Sequence, residues 1–205
     1  MNALILAILP KPVLQLRSPI PRQHQIDKDF HLHHSNQDFI PVNIAIMTIS
    51  DTRTLETDKS GLVLEERAIK DGHNVVTRVV VKDVIDDIVA VANKFCDDDG
   101  IDFIIATGGT GVTGRDVTPE AFAQVYEKEI PGFGEMFRLL SYKIIGTSTI
   151  QSRATAGVAR GTYLFAVPGS PGACKDAWDG IFHEQLDIRH KPCNFVEMMP
   201  RLTEV

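Results

Sequence analysis

The chain has 205 residues, 43% apolar and 23% charged, which is enough for one globular domain with a sizeable core. Its formal net charge of −6, with acids spread along the chain, argues against a general nucleic-acid binder, although a local pocket can still oppose the overall sign. No apolar run approaches the ~20 residues of a membrane span, and three distant cysteines, Cys96, Cys174 and Cys193, fit neither a disulfide framework nor a zinc site, so a reducing cytoplasm is the expected compartment.

Residues 1–38 differ from the rest. Pro10, Pro12, Pro19 and Pro21 interrupt them, and they carry no periodic pattern. They read as a disordered N-terminal extension, with the domain running over 39–205. The apolar run Ala3 to Leu9 stops at Pro10 and falls short of a secretory signal. His31, His33 and His34 read as part of a solvated tail rather than a metal site.

From Phe39 the pattern sharpens. Ile44 to Ile49 is too uniformly apolar for one face to meet water, and it ends in Ser50-Asp51-Thr52-Arg53. A helix follows from Ser60-Gly61 to about Lys70, closed by Asp71-Gly72, with Leu64 and Ala68 on one face. Asn74 to Val81 is a second strand, followed by Lys82-Asp83. Val84 to Phe95 is the clearest helix, with Ile85, Ile88, Val89, Ala92 and Phe95 in one stripe. The acidic run Asp97-Asp98-Asp99 lacks the spacing of a calcium loop and reads as a solvated turn.

Phe103 to Thr107 is a short buried strand that breaks into Gly108-Gly109-Thr110-Gly111. Glycines let other groups approach the main chain, and such a loop can aim several N–H groups at one anion. Arg115 and Asp116 follow, then Thr118-Pro119 as a cap and a helix-starting proline. Pro131-Gly132 breaks that helix. A further helix, Gly134 to Ile145, carries Met136, Phe137, Leu140 and Ile144 in one stripe, and Gly146 to Gly157 reads as a small, polar surface segment. Thr162 to Val167 is the next buried strand, delivering the loop Pro168 to Gly172. Pro171 to Phe182 is the last clear helix, and the tail from Lys191 to Phe195 is irregular.

Strands alternating with helices give an α/β fold, a three-layer αβα sandwich with a mostly parallel central sheet. Such sheets bind ligands past the carboxyl ends of their strands, where Asp51, Asp83, Gly108 to Asp116 and Gly169 to Gly172 all fall. The glycine loops can hold phosphate, Thr110, Thr113 and Ser170 can donate to its oxygens, and Asp83 and Asp116 supply hard ligands for Mg²⁺. Arg53, Arg115 and Arg153 are candidate phosphate partners. Together these suggest nucleotide-dependent phosphoryl or nucleotidyl transfer. The Walker lysine pattern and the Gly-x-Gly-x-x-Gly spacing are both missing, which excludes an ordinary P-loop ATPase and leaves a dinucleotide-binding dehydrogenase unsupported.

Thr107-Gly108-Gly109-Thr110-Gly111, Arg115-Asp116-Val117-Thr118-Pro119-Glu120-Ala121, Pro131 to Arg138, Ser152-Arg153-Ala154 and Pro168-Gly169-Ser170 together resemble the MoaB/MogA family of molybdenum cofactor biosynthesis proteins. Ile145 to Thr149 and Lys191 to Phe195 look like its MoaB branch. The resemblance implies molybdopterin as substrate, ATP as co-substrate and Mg²⁺ as cofactor, with adenylylation of the pterin's terminal phosphate. It implies Asp116 and Asp83 as catalytic and metal-holding carboxylates. It also implies Asp51, Gly108, Gly109, Thr110, Gly111, Ser152, Arg153, Gly169 and Ser170 as ligand-binding residues. Homotrimers or homohexamers are expected, with other proteins of the pathway as partners and neither nucleic acid nor membrane. A non-catalytic pterin-binding or scaffold subunit of the same pathway stands as the alternative. Many relatives carry a lysine two positions after the loop serine, where this chain has Gly172.

Overall fold

The computed structural model describes residues 37–204. The extension expected over 1–38, with its histidines, lies almost wholly outside the described residues. A six-stranded sheet organises the rest, in the order β2-β1-β3-β6-β5-β4. Its strands are β1 (Asn43–Ile49), β2 (Asn74–Val81), β3 (Phe103–Thr107), β4 (Lys128–Glu129), β5 (Thr155–Ala159) and β6 (Thr162–Val167). β2, β1, β3 and β6 are mutually parallel, whereas β5 runs antiparallel to β6 and β4 antiparallel to β5.

Helices cover both faces, as the unbroken apolar strands require. Ile44 and Ile46 of β1 face the side covered by α1 (Lys59–Lys70), α4 (Pro131–Ile145) and α5 (Pro171–Ala177). Ala45, Met47 and Ile49 face the opposite side, covered by α2 (Ile85–Cys96) and α3 (Thr118–Ala123). Phe165 of β6 anchors the first layer. Its ring lies 4.9 Å from Phe133, 5.1 Å from Phe182 and 5.3 Å from Phe195, which ties α4 and the C-terminal segments to the sheet. Aromatic pairs of this kind contribute about 0.5–1.5 kcal/mol each beyond the area they bury.

Several local readings need correction. The polar stretch Gly146 to Gly157 is not simply surface: a 3-10 turn (Gly146–Gln151) leads into β5, which is buried from Ala156 to Ala159. β5 and β6 form a hairpin in which Ala159 pairs with Thr162 across Arg160-Gly161. Both turn residues have positive φ, 50° and 85°, which is the geometry a two-residue turn needs to match the strand twist. α4 begins at Pro131, a residue read as a helix breaker, because proline at the first helical position gives up no intrahelical bond. On α4, Phe137 is buried while Met136 and Ile144 point outward, at 49% and 62% exposure. The helix from Pro171 passes into a π turn over Trp178–Phe182, and the irregular tail gives way to a short helix, Phe195–Met198, capped by Asn194.

Candidate functional site

Strand register builds the site. Ile49 pairs with Val81, Thr48 with Thr107, and Thr107 with Val167, so the carboxyl ends of four parallel strands stand level. The loops they deliver therefore meet. Gly108 sits at φ 108° and donates its N–H to Val167 O at 3.0 Å. A Cβ there would come within 2.3 Å of Ile49 O, so both the conformation and the crowding exclude a side chain. Gly169 packs directly on Gly108, where its own Cβ would lie 3.0 Å from the Gly108 Cα. The two glycine loops are thus in contact.

Thr118 is the first residue of α3 rather than its cap. Its hydroxyl donates to Gly108 O at 2.8 Å and its N–H to Gly109 O at 3.0 Å, locking the loop to the helix start. The result is a cleft of about 440 Å³ lined by Thr48 to Ser50, Thr52, Arg53, Thr107 to Gly111, Asp116, Pro168 and Gly169.

One carboxylate, Asp116, lines this cleft, and two more, Asp83 and Asp51, lie on the neighbouring strand ends. Asp116 Oδ2 accepts from the Thr113 hydroxyl at 2.6 Å and from the Thr113 N–H at 2.8 Å. Burial presses its pKa upward, but the Thr113 and Gly111 donors and the Arg153 charge outweigh that and hold the carboxyl below the usual range. Asp83 is shifted the other way: burial and then the negative charge of Asp116 raise it. The two carboxylates therefore sense one another, and Asp83 Oδ1 reaches the flank of Gly109. Asp51 accepts the Asp83 N–H at 3.3 Å and pairs with Arg115.

Arg153 does not reach into the cleft as a free cation. Its Nε donates to Gly111 O at 2.6 Å, the guanidinium also holds Asp116 O and Glu120, and its N–H donates to Thr110 O at 2.8 Å. It fastens the loop that carries Asp116. Thr113, expected to face phosphate, is likewise turned toward Asp116.

A second pocket, about 380 Å³, adjoins the first. Phe137, Ile144 and Ile145 give it apolar walls, while Ser141, Ser148, Ser152, Ser170 and Asp176 supply polar groups. Thr110 and Gly111 line both spaces. The Thr110 side chain is buried, with the residue 1% exposed, and its hydroxyl has no hydrogen-bond partner among the described residues. A buried hydroxyl between two pockets without a protein partner is a group able to bond to a ligand or to water. Ser170 caps α5, accepting from the Ala173 N–H at 3.1 Å, which leaves its own proton for a ligand.

Sequence reasoning missed one buried element of this region. Asp58, its side chain fully buried, accepts from the Thr48 hydroxyl at 2.6 Å, the Gly61 N–H at 2.9 Å and Arg78 at 3.1 Å. It caps α1 and fixes the strand end beneath Arg53. Its signal in the chain was Asp58 three residues before Gly61, a cap position masked by the more visible Ser60-Gly61.

Among the described residues no group of three or more His, Cys, Asp or Glu side chains is arranged to hold a metal, and no helix is long and apolar enough to cross a membrane. Asp83 and Asp116 are the carboxylates that could serve a cation such as Mg²⁺, which commonly takes one or two carboxylates and completes its shell with water and ligand oxygens.

A largely parallel α/β sheet brings two glycine loops and the Asp83 and Asp116 carboxylates to its carboxyl edge, beside an adjoining pocket with apolar walls. Residues 45–188 match the family described as "Probable molybdopterin binding domain". Molybdenum cofactor biosynthesis protein B of Escherichia coli K12 is 48% identical over 158 residues, covering 77% of this chain and 93% of that protein. Its counterpart in Bacillus subtilis 168 is 44% identical over 146 residues, 71% and 86% of the two chains. A crystal structure of Molybdenum cofactor biosynthesis protein B superimposes with a TM-score of 0.73 at 38% identity, covering 81% of this chain and 98% of that one. The Pyrococcus furiosus tungsten cofactor synthesizing protein MoaB gives 0.63 at 33% identity, covering 70% and 92%. The chain belongs to the MoaB/MogA family of molybdenum cofactor biosynthesis proteins, on its MoaB branch.

Proposed function

We propose that the protein binds molybdopterin and adenylylates its terminal phosphate with ATP. The observation that carries this reading is the junction at Thr110, whose unpartnered buried hydroxyl lies between a pocket fit for a ring and a cleft fit for phosphates. A molecule with a flat heterocycle at one end and a phosphate monoester at the other spans the two. In the proposed reaction an oxygen of the pterin phosphate attacks the α-phosphorus of ATP, the α–β bridging bond breaks, and pyrophosphate leaves.

The protein's part is positioning and charge. Backbone N–H groups of Gly109 to Gly111 and the Thr110 hydroxyl bind phosphate oxygens, and Ser152 and Ser170 orient the ring in the adjoining pocket. Asp83 and Asp116 would hold Mg²⁺, which when bound neutralises phosphate charge. The raised pKa of Asp83 supports this, since burial first and the Asp116 charge second disfavour its ionised form, and a bound cation would offset both. Self-association belongs to the same proposal, supported by the exposed apolar side chains of α4 and the turn after it.

Incubation with molybdopterin, ATP and Mg²⁺ is expected to yield adenylylated pterin and pyrophosphate, and Asp116→Asn to abolish the product while leaving the fold intact. Tight pterin binding with no adenylylated product would reject the enzyme in favour of a non-catalytic pterin carrier.

A further inference from the structure

Resting on the molybdopterin reading, we propose that Arg53 is the side chain that recognises the ligand's phosphate monoester, and so sets the preference for a phosphorylated over a dephosphorylated pterin. A phosphate in a protein of net charge −6 needs a local cation. The ring pocket has none among its lining residues, and Asp176 adds a negative charge there. Of the residues lining the glycine-loop cleft, Arg53 is the one cation.

The other arginines near the site are committed elsewhere. Arg153 is spent on Gly111, Asp116 and Glu120, and Arg115 on Asp51.

Arg53 is held but not used up. Its Nη1 donates to the Ser60 hydroxyl at 3.0 Å, and its Nη2 approaches Gly169 O at 3.4 Å. Ser60 itself donates to Gly169 O at 2.9 Å, so the three residues close a triangle against the second glycine loop. The nearest carboxylate, Asp58, stands 3.8 Å from Nη1 and is already engaged by Arg78, Thr48 and Gly61. Two of the five guanidinium N–H donors are thus anchored, and the side chain keeps 33% exposure at the cleft wall. A planar fork anchored at two donors, with others left over and its side chain lining the cleft, is suited to bidentate capture of a phosphate.

The test compares two fluorescent probes: the oxidised pterin carrying its phosphate, and the same compound after phosphatase treatment. The wild-type protein is expected to bind the phosphorylated probe more tightly. Arg53→Gln, which keeps a donor for Gly169 but removes the charge, should weaken that probe by roughly tenfold to a hundredfold and leave the dephosphorylated one unchanged. Arg53→Lys should recover part of the loss. If Arg53→Gln weakens both probes equally, the residue merely shapes the loop and the proposal fails. It fails as well if the preference survives the substitution. If the wild-type protein binds both probes equally, the pterin reading stands and the phosphate contact is rejected. If it binds neither probe, the pterin reading falls first.

Discussion

The Thr113 hydroxyl donates to Asp116 Oδ2 at 2.6 Å, so the loop holds its carboxylate aimed and ionised before any ligand arrives. Removing that donor should loosen the aim and let burial raise the Asp116 pKa. Thr113→Val is expected to lower the apparent Mg²⁺ affinity of adenylylation by roughly tenfold, the range of one hydrogen bond to a charged group. Initial rates against Mg²⁺ concentration measure it, and an unchanged Mg²⁺ dependence would separate Thr113 from the site.

Asp83 behaves oppositely. A carboxyl whose folded pKa exceeds its unfolded value favours folding only while protonated; the penalty sets in above about pH 4 and is complete above the raised folded value. Asp83→Asn removes that penalty. The metal-free variant should melt above wild type at pH 7, with the gap closing toward pH 4, and Mg²⁺ with ATP should stabilise wild type but not the variant. A variant that melts lower at pH 7 would show that the Asp83 carboxylate is stabilising even without a cation.

The buried Asp58 sets a stability prediction. Asp58→Ala strips a helix cap and takes the acceptor from the Thr48 hydroxyl, while Arg78 keeps its pair with Glu65 at 2.9 Å. Leaving the buried Thr48 and Gly61 donors without their acceptor costs about 1–3 kcal/mol. Urea unfolding should show a lower midpoint at constant slope, with Asp58→Asn losing less. A cost under about 1 kcal/mol would mean that water replaces the carboxylate at little penalty.

The exposed apolar side chains of Leu139, Tyr142, Ile145 and Ile150, at 56%, 56%, 55% and 75%, run along α4 and the turn that follows. So much bare surface suits a second copy of the chain better than water. Sedimentation velocity is expected to give a trimer or hexamer for the wild-type protein, and smaller species for Leu139→Glu or Ile150→Glu. A monomeric wild-type protein at tens of micromolar would refute self-association.

The parallel core was legible because its strands are largely apolar runs stopped by polar residues, glycine or proline; β3 and β6 came out at their residue bounds. The hairpin partner β5 was not, since Thr155-Ala156-Gly157-Val158-Ala159 is built of small residues. Gly157 leaves room for the Tyr126 ring, which a Cβ would approach to 2.4 Å, so the strand is selected by tertiary fit rather than by propensity. Arg160-Gly161 also lacks the Asn-Gly signature that announces such turns.

Site residues divide in the same way. Asp116 and the glycines announce themselves, because chemistry and backbone freedom are both local. Thr118 looked like an ordinary cap, and only the fold reveals that its hydroxyl serves Gly108 instead of its own helix. The outward turn of Met136 and Ile144 has a similar origin. A stripe on a helix says that one face is apolar, not whether the sheet, a pocket or another subunit covers it.

Arg153 stitches the floor of one compartment to the rim of the other. Through Thr110, Gly111 and Asp116 it ties the serine-bearing turn to the carboxylate-bearing loop. If pterin ring and phosphate occupy the two spaces, binding at one should stiffen the seat for the other, so ring and phosphate contributions to affinity are expected to be cooperative, and Arg153→Ala should make them additive.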